Sequence, residues 1–167
     1  MYVDKGLRWI VEELVRDKDS RRALCPILAM NHLDRRELDV PCTLGLGFRI
    51  REGRLETTAS MRSSDMIFGM TNDVPTFFSF AEIVLTKLRV FYPHLILGTL
   101  AIQTHSMHVY ERHWKMVEKI LEDPSETVMY PPPEISDIAE AEFLLSADLD
   151  RVRIPSYYQY ARWLQGK

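Results

Sequence analysis

The sequence has few cysteines, no long apolar run and little excess of charge. Its 167 residues include two cysteines, Cys25 and Cys42, too few for a disulfide framework, which favours a reducing, cytoplasmic setting. No apolar run approaches the ~20 residues that cross a bilayer, and the first residues lack a signal-peptide pattern, so we expect no membrane segment. The net charge of −3 argues against a protein that coats a nucleic-acid polymer.

The sequence also lacks a glycine-rich phosphate loop and residues with metal-ligand spacing. The candidate metal ligands are His105, His108 and His113. Residues 105 and 108 are an odd number apart, so on one strand their side chains would point to opposite faces. No cysteine or acidic cluster accompanies them at ligand spacing. We therefore predict that the chain holds no metal.

The apolar pattern predicts a single domain over residues 1–167 with helices and strands in one layered core. Apolar spacing predicts helices over 2–17, 74–91 and 109–122, and strands over 22–30, 43–50, 54–62, 95–104 and 142–149. The turn residues Arg51, Glu52 and Gly53 predict a hairpin between the second and third strands. The expected fold class is α+β, with a mixed or antiparallel sheet and helices packed on one face.

Four polar segments stand out within this pattern. They are Asp17 to Arg22, Pro41-Cys42, Arg62 to Asp65 with Gly69 and Asp73 behind it, and His108-Val109-Tyr110. Each alone has an ordinary structural explanation, as an exposed arginine pair, a residue that hydrogen-bonds at a strand end, or a cap. Taken together, they are more informative than each is alone. Cys42 lies 20 residues after Arg22, and Arg62 lies 20 residues after Cys42.

In this order and spacing the segments resemble the thymidylate synthase family, which includes the phage deoxycytidylate hydroxymethylases. The resemblance covers about residues 7–120 and implies a thymidylate synthase-like α+β fold. It also implies that the family's N-terminal segment, with its catalytic Glu, is absent here. Two positions near the implied site residues depart from the family pattern: Thr43 stands where His is usual, and Ser106 stands where an acidic residue is usual.

The resemblance assigns roles to most of these residues. It implies that Cys42 is the nucleophile that adds to carbon 6 of a pyrimidine, with Arg62 beside both the thiol and the nucleotide phosphate. Ser63 would share the phosphate. Arg21 and Arg22 would reach it from the partner subunit of a homodimer, formed through the sheet face. His108 and Tyr110 would hold the sugar hydroxyl, and Asp65 and Gly69 complete the implied substrate-binding set.

Asp73 occupies the implied base-reading position. In family members that act on dUMP this residue is Asn, whereas the cytosine-directed hydroxymethylases carry Asp. A carboxyl group can accept from the exocyclic amine of cytosine and, when protonated, donate to its ring nitrogen. Asp73 also suits the N-cap of the helix over 74–91, with Pro75 in the first turn, and this alternative stays open.

These features together predict a one-carbon transfer to carbon 5 of a pyrimidine nucleoside monophosphate. Cytosine (dCMP or CMP) is favoured over uracil, and hydroxymethylation over methylation. The implied donor is 5,10-methylenetetrahydrofolate or another reduced-pterin carrier. Two alternatives stay open: a nucleotide-binding module that is non-catalytic or depends on a companion chain, and a thymidylate synthase directed at dUMP.

Overall fold

The computed structural model describes residues 3–33, 40–123, 135 and 137–145. The helices are α1 (Val3–Arg16), α2 (Gly69–Leu88), α3 (Trp114–Glu122) and α4 (Ile138–Leu145), with 3-10 turns at Met30–Leu33 and Glu111–His113. The strands are β1 (Leu24–Pro26), β2 (Thr43–Arg51), β3 (Arg54–Met61), β4 (Ser64–Asp65), β5 (Ile96–Thr104) and β6 (Met107–His108). No helix among these residues is long and apolar enough to cross a membrane.

Among the described residues, the main sheet has four strands in the order β1-β2-β3-β5. The β1/β2 and β2/β3 pairs are antiparallel, and β3 pairs with β5 in parallel after the chain crosses over through α2. The predicted hairpin is confirmed. Its two turn residues, Glu52 and Gly53, have φ angles of 50° and 73°. Positive φ at both positions is typical of a type I′ turn, whose twist matches that of the strands it joins.

The hydrophobic core lies between this sheet and helices α1 and α2. Leu7, Ile10 and Leu14 of α1 are fully buried, at the spacing of one helical face. Every second residue of β3 from Leu55 to Met61 is buried, as expected of a strand with one face on a core. The opposite face of the sheet carries small and polar residues that are half-buried or exposed: Gly47, Thr58, Ser60, Ala101 and Gln103.

Helix α1 approaches β1 closely because residue 6 is glycine. A Cβ atom at Gly6 would lie 2.1 Å from Sγ of Cys25, too close for any side chain there. Cys25 is buried, as its apolar surroundings predict. The hydroxyl of Tyr92, beyond the end of α2, donates to the carbonyl oxygen of Leu14 over 2.8 Å and ties the two helices together.

The helix predicted over 74–91 begins earlier, at Gly69, so Asp73 is its fifth residue and the predicted N-cap role is wrong. The carboxylate of Asp65 explains the early start. Its oxygens accept the backbone N–H groups of Ile67 and Phe68, which bends the chain into the helix before residue 69. Pro75 therefore lies inside the helix rather than in its first turn.

Three predicted strands differ from the structure. The strand over 22–30 contracts to Leu24–Pro26, and a 3-10 turn follows from Met30. The apolar run over 95–104 predicts a buried strand. It forms as β5, but among the described residues it is the last strand of the sheet and none of its residues is buried. Residues 142–145 belong to helix α4 rather than to a last strand, because an apolar run this short does not distinguish the two. Residues 146–149 of that prediction lie outside the described chain.

Candidate active site

Cys42 lies at the open end of the β2/β3 hairpin, immediately before β2. Its thiol is free and exposed. Thr43 pairs with Met61 at the open end of the hairpin. Cys42, which precedes Thr43, and Arg62, which follows Met61, therefore lie opposite each other there. The backbone N–H of Arg62 donates to the carbonyl oxygen of Cys42 over 2.8 Å. The hairpin register therefore fixes the backbone of the cysteine against the backbone of the arginine.

The guanidinium of Arg62 lies along the chain that leads into Cys42. Its Nε donates to the carbonyl oxygen of Pro41 over 3.1 Å, and its Nη2 donates to that of Val40 over 2.6 Å. These two bonds hold an exposed positive charge beside the segment that carries the thiol.

A second, two-stranded sheet joins the Arg62–Asp65 segment to the His108–Tyr110 segment. Strand β4 pairs in parallel with β6, so that Ser64 faces Met107 and Asp65 faces His108. The hydroxyl of Ser63 lies 3.4 Å from Nδ1 of His108. Two motifs 45 residues apart in the chain thus contribute neighbouring polar side chains to one side of the molecule.

Asp65 has a clear structural function in this arrangement. Burial raises the pKa of its carboxyl, but the donated N–H groups of Ile67 and Phe68 and the nearby His113 and His108 outweigh burial, so the pKa lies below its ordinary value. The carboxylate stays ionised, and its oxygens accept hydrogen bonds from the backbone turn that begins α2.

Gly69 and Asp73 lie one above the other on the first turns of α2. A Cβ atom at Gly69 would lie 3.3 Å from Oγ of Ser64 and 3.7 Å from Oδ2 of Asp73. The carboxyl of Asp73 therefore turns back over the start of the helix, towards the β4 strand. Partial burial raises the pKa of Asp73 above its ordinary value, because desolvation disfavours the charged form.

His108 and Tyr110 belong to a cluster of rings. The ring centroids of His108 and Tyr110 are 4.8 Å apart in an edge-to-face arrangement. The guanidinium carbon of Arg112 lies 4.4 Å from the Tyr110 ring centroid, and His113 contacts the rings of both Tyr110 and Phe68. These contacts fix the orientation of Tyr110, whose side chain is otherwise exposed.

Arg21 and Arg22 lie away from this group of residues. They end the segment Asp17–Arg22, here called the arginine loop, between α1 and β1. The N–H of Phe48 bonds the carbonyl oxygen of Ala23, so Arg22 lies near the far end of β2. Residues 42 and 48 are separated by six steps of a strand, or roughly 20 Å, which exceeds the reach of one side chain.

A family model described as Thymidylate synthase matches residues 3–163. The chain belongs to the thymidylate synthase family. It is 26% identical over 115 residues to a protein named "Putative thymidylate synthase" from Methanococcoides burtonii, covering 69% of this chain and 50% of that protein. A protein of the same name from Methanothermobacter marburgensis is 29% identical over 113 residues, covering 68% of this chain and 48% of its own.

A phage protein is also similar to this chain. The "Deoxycytidylate 5-hydroxymethyltransferase" of Enterobacteria phage T4 is 28% identical over 120 residues, covering 64% of this chain and 46% of the phage protein. The chain thus spans about half the length of the curated relatives that it matches.

Seen as a thymidylate synthase family member, the chain brings together most of the residues that its sequence singled out. Cys42 and Arg62 meet at the hairpin mouth, and Ser63, Asp65 and His108 meet across the β4/β6 pair. The ring contacts of Phe68, Arg112 and His113 with this group were missed. Their only signal in the sequence is spacing, since residues 110 and 113 are one helical turn apart.

A buried carboxylate beneath the arginine loop was also missed. Glu13 of α1 is 7% exposed. It accepts Nε and Nη2 of Arg16 over 3.1 and 2.7 Å and the hydroxyl of Ser20. The hydrogen bond from Arg16, followed by the one from Ser20, lowers the pKa of Glu13 to about 2. Glu13 lies in none of the four polar segments. Its sequence signal is the spacing of three residues from Arg16, which allows an ion pair on one helix face.

The histidines considered as metal ligands are separated by a change of strand. β5 ends at Thr104, and His108 lies in β6, so the expectation that His105 and His108 share one strand is wrong. Within the part of the chain that the structure describes, no group of three or more His, Cys, Asp or Glu residues could hold a metal ion.

Proposed function

We propose that this chain forms the nucleotide half of a thymidylate synthase-type site and transfers a one-carbon unit to carbon 5 of a pyrimidine nucleoside monophosphate. The observation that supports it most is the placement of Arg62. Its guanidinium is bonded to the two carbonyl groups that precede Cys42, so a fixed cation accompanies an exposed thiol. Membership of the family supports Cys42 as the candidate nucleophile.

Cys42 acts in this proposal by adding to the ring. Its thiolate forms a bond to carbon 6, and the electron pair of the 5,6 double bond moves to carbon 5, which then attacks an electrophile. Loss of the proton from carbon 5 and expulsion of the thiolate restore the double bond. When bound, the proposed carrier, methylenetetrahydrofolate or another reduced pterin, would supply a methylene unit, and water would replace the carrier's nitrogen on that carbon to give a hydroxymethyl product. The residues assigned to this site all serve the nucleotide.

The nucleotide phosphate is assigned to Arg62 and Ser63 of one subunit and to Arg21 and Arg22 of the other. Forked guanidinium donors suit a phosphate that carries about two negative charges. The separation of roughly 20 Å along β2 within one chain supports the second subunit as the source of the arginine loop. The sheet face with Gly47, Thr58, Ser60, Ala101 and Gln103 is the proposed two-fold interface, because small side chains allow two sheets to approach.

The base is assigned to Asp73 and the sugar hydroxyl to His108 and Tyr110. The direction of the Asp73 pKa shift, raised by burial, supports cytosine, because the protonated carboxyl is the form that can donate to the ring nitrogen while accepting from the amine. The names of the relatives include both a deoxycytidylate hydroxymethyltransferase and putative thymidylate synthases, so the base preference rests on this residue.

A second candidate function is nucleotide binding without turnover, alone or with a companion chain. The fact in its favour is that the chain spans about half the length of its curated relatives. A protein of this kind would bind the nucleotide and form no bond between Cys42 and the ring.

Replacing Cys42 with alanine tests the nucleophile. We expect Cys42→Ala to abolish the covalent nucleotide adduct, seen by intact-protein mass spectrometry after incubation with a 5-fluoropyrimidine nucleotide and methylenetetrahydrofolate. Nucleotide affinity should stay within about three-fold, because the thiol contributes little to reversible binding.

The matched control is Cys25→Ala. Burial raises the pKa of the Cys25 thiol, so this residue stays protonated and should not react. An adduct that persists in Cys42→Ala, or that disappears in Cys25→Ala alone, contradicts the assignment.

Replacing Asp73 with asparagine tests the base. We expect Asp73→Asn to shift binding preference from dCMP towards dUMP by at least about ten-fold, the effect of one lost and one gained base contact.

In the wild type, dCMP affinity should fall as pH rises through the raised pKa of Asp73, because the donating proton is lost. Asp73→Asn should remove that pH dependence. An unchanged dCMP/dUMP ratio, measured by calorimetry with Asn72→Asp as a neighbouring control, would count against Asp73 as the base reader.

Mixed dimers test the shared site. A Cys42→Ala chain and an Arg21→Ala/Arg22→Ala chain should each be inactive alone. Mixed in equal amounts, they should regain about a quarter of wild-type activity, since half the dimers are mixed and each has one complete site. No recovery in samples shown by native mass spectrometry to contain the mixed dimer places the arginines in the site of their own subunit and contradicts the proposal.

A further inference from the structure

The arginine loop rests on a buried carboxylate that belongs to the preceding helix. Glu13 is almost fully buried, and an ionised group in that position needs hydrogen-bonding partners. The structure supplies them from two sides. Arg16 binds both carboxylate oxygens from one turn further along α1, and the hydroxyl of Ser20 donates to the carboxylate from the loop itself.

Ser20 links the Glu13 carboxylate to the backbone of Arg22. Its hydroxyl donates to Glu13 and at the same time accepts the backbone N–H of Arg22 over 3.1 Å. Ser20 is itself buried, with 4% of its surface exposed. A hydroxyl whose proton is committed to a carboxylate presents its lone pair in a fixed direction. The backbone of Arg22 is therefore held through a chain of two hydrogen bonds to Glu13.

The pairing of Arg16 with Glu13 leaves the guanidinium of Arg22 exposed. Both arginines lie near the same carboxylate, but Arg16 makes the paired contact at 2.7 and 3.1 Å, whereas Nε of Arg22 is 4.0 Å away. Because Arg16 neutralises Glu13, Arg22 is not drawn down onto it, and its side chain remains 76% exposed. The guanidinium of Arg22 keeps most of its donors for an external anion.

We propose that Glu13 and Ser20 are positioning residues for phosphate recognition: they fix the backbone of the arginine loop so that Arg22 presents its guanidinium to the nucleotide phosphate. This inference rests on the proposed function, in which Arg22 binds that phosphate. Glu13 and Ser20 do not touch the nucleotide, and they act through Arg22 alone.

The test compares the affinity of 2′-deoxycytidine 5′-monophosphate with that of 2′-deoxycytidine. The ratio of the two affinities reports the contribution of the phosphate, and a general loss of stability would change both alike. We expect Glu13→Gln to lower this ratio about ten-fold, because the amide cannot serve Arg16 and Ser20 as a carboxylate does. Glu12→Gln, an exposed change one residue earlier in α1, should leave the ratio within about two-fold.

Two further variants separate the possible failures. Ser20→Ala removes the hydroxyl while leaving the Glu13–Arg16 pair, and it should lower the ratio in the same direction; it also decides the matter if Glu13→Gln does not fold. Arg22→Ala should lower the ratio at least as much as Glu13→Gln. If Arg22→Ala leaves the ratio unchanged, or the wild type shows no preference for the phosphate, the proposed function is contradicted. If Arg22→Ala lowers it but folded Glu13→Gln and Ser20→Ala do not, the positioning role is overturned.

Discussion

The register of the β2/β3 hairpin is the constraint on which the candidate site depends. Positive φ angles at Glu52 and Gly53 close the turn tightly, and the pairing that follows brings Cys42 and Arg62 to the same end of the hairpin. A slip of one residue would turn every side chain of one strand to the other face and separate the two. Because alternate residues of β3 fill the core, such a slip would also expose the core.

The second constraint is the short parallel pair of β4 and β6. It joins two segments that lie on either side of the α2 crossover, and it aligns Asp65 with His108. The same Asp65 carboxylate begins α2 by accepting backbone N–H groups, and this start places Asp73 over Gly69 and Ser64. The proposed phosphate, sugar and base ligands of one subunit are thus positioned by hydrogen bonds made by neighbouring backbone segments.

Sequence reasoning succeeded where local patterns carry the information. The hairpin follows from Gly53 between two alternating strands, and the burial of Leu7, Ile10 and Leu14 follows from helical spacing. It failed where the deciding side chain lies outside the apolar pattern, or where that pattern fits a helix and a strand equally well. The start of α2 depends on Asp65 rather than on the expected cap at Asp73, and residues 142–145 form a helix that their apolar run does not distinguish from a strand. Glu13 is visible only once α1 and the arginine loop are seen together.

Cys42 is the proposed nucleophile that activates carbon 5 of a pyrimidine nucleotide, and proton loss from that carbon reports this step directly. The measurement is release of tritium from dCMP and dUMP labelled at carbon 5, with and without methylenetetrahydrofolate. We expect release from dCMP that disappears in the Cys42→Ala protein. Release that persists without Cys42, or no release from either labelled compound in protein shown to bind the nucleotide, would contradict it.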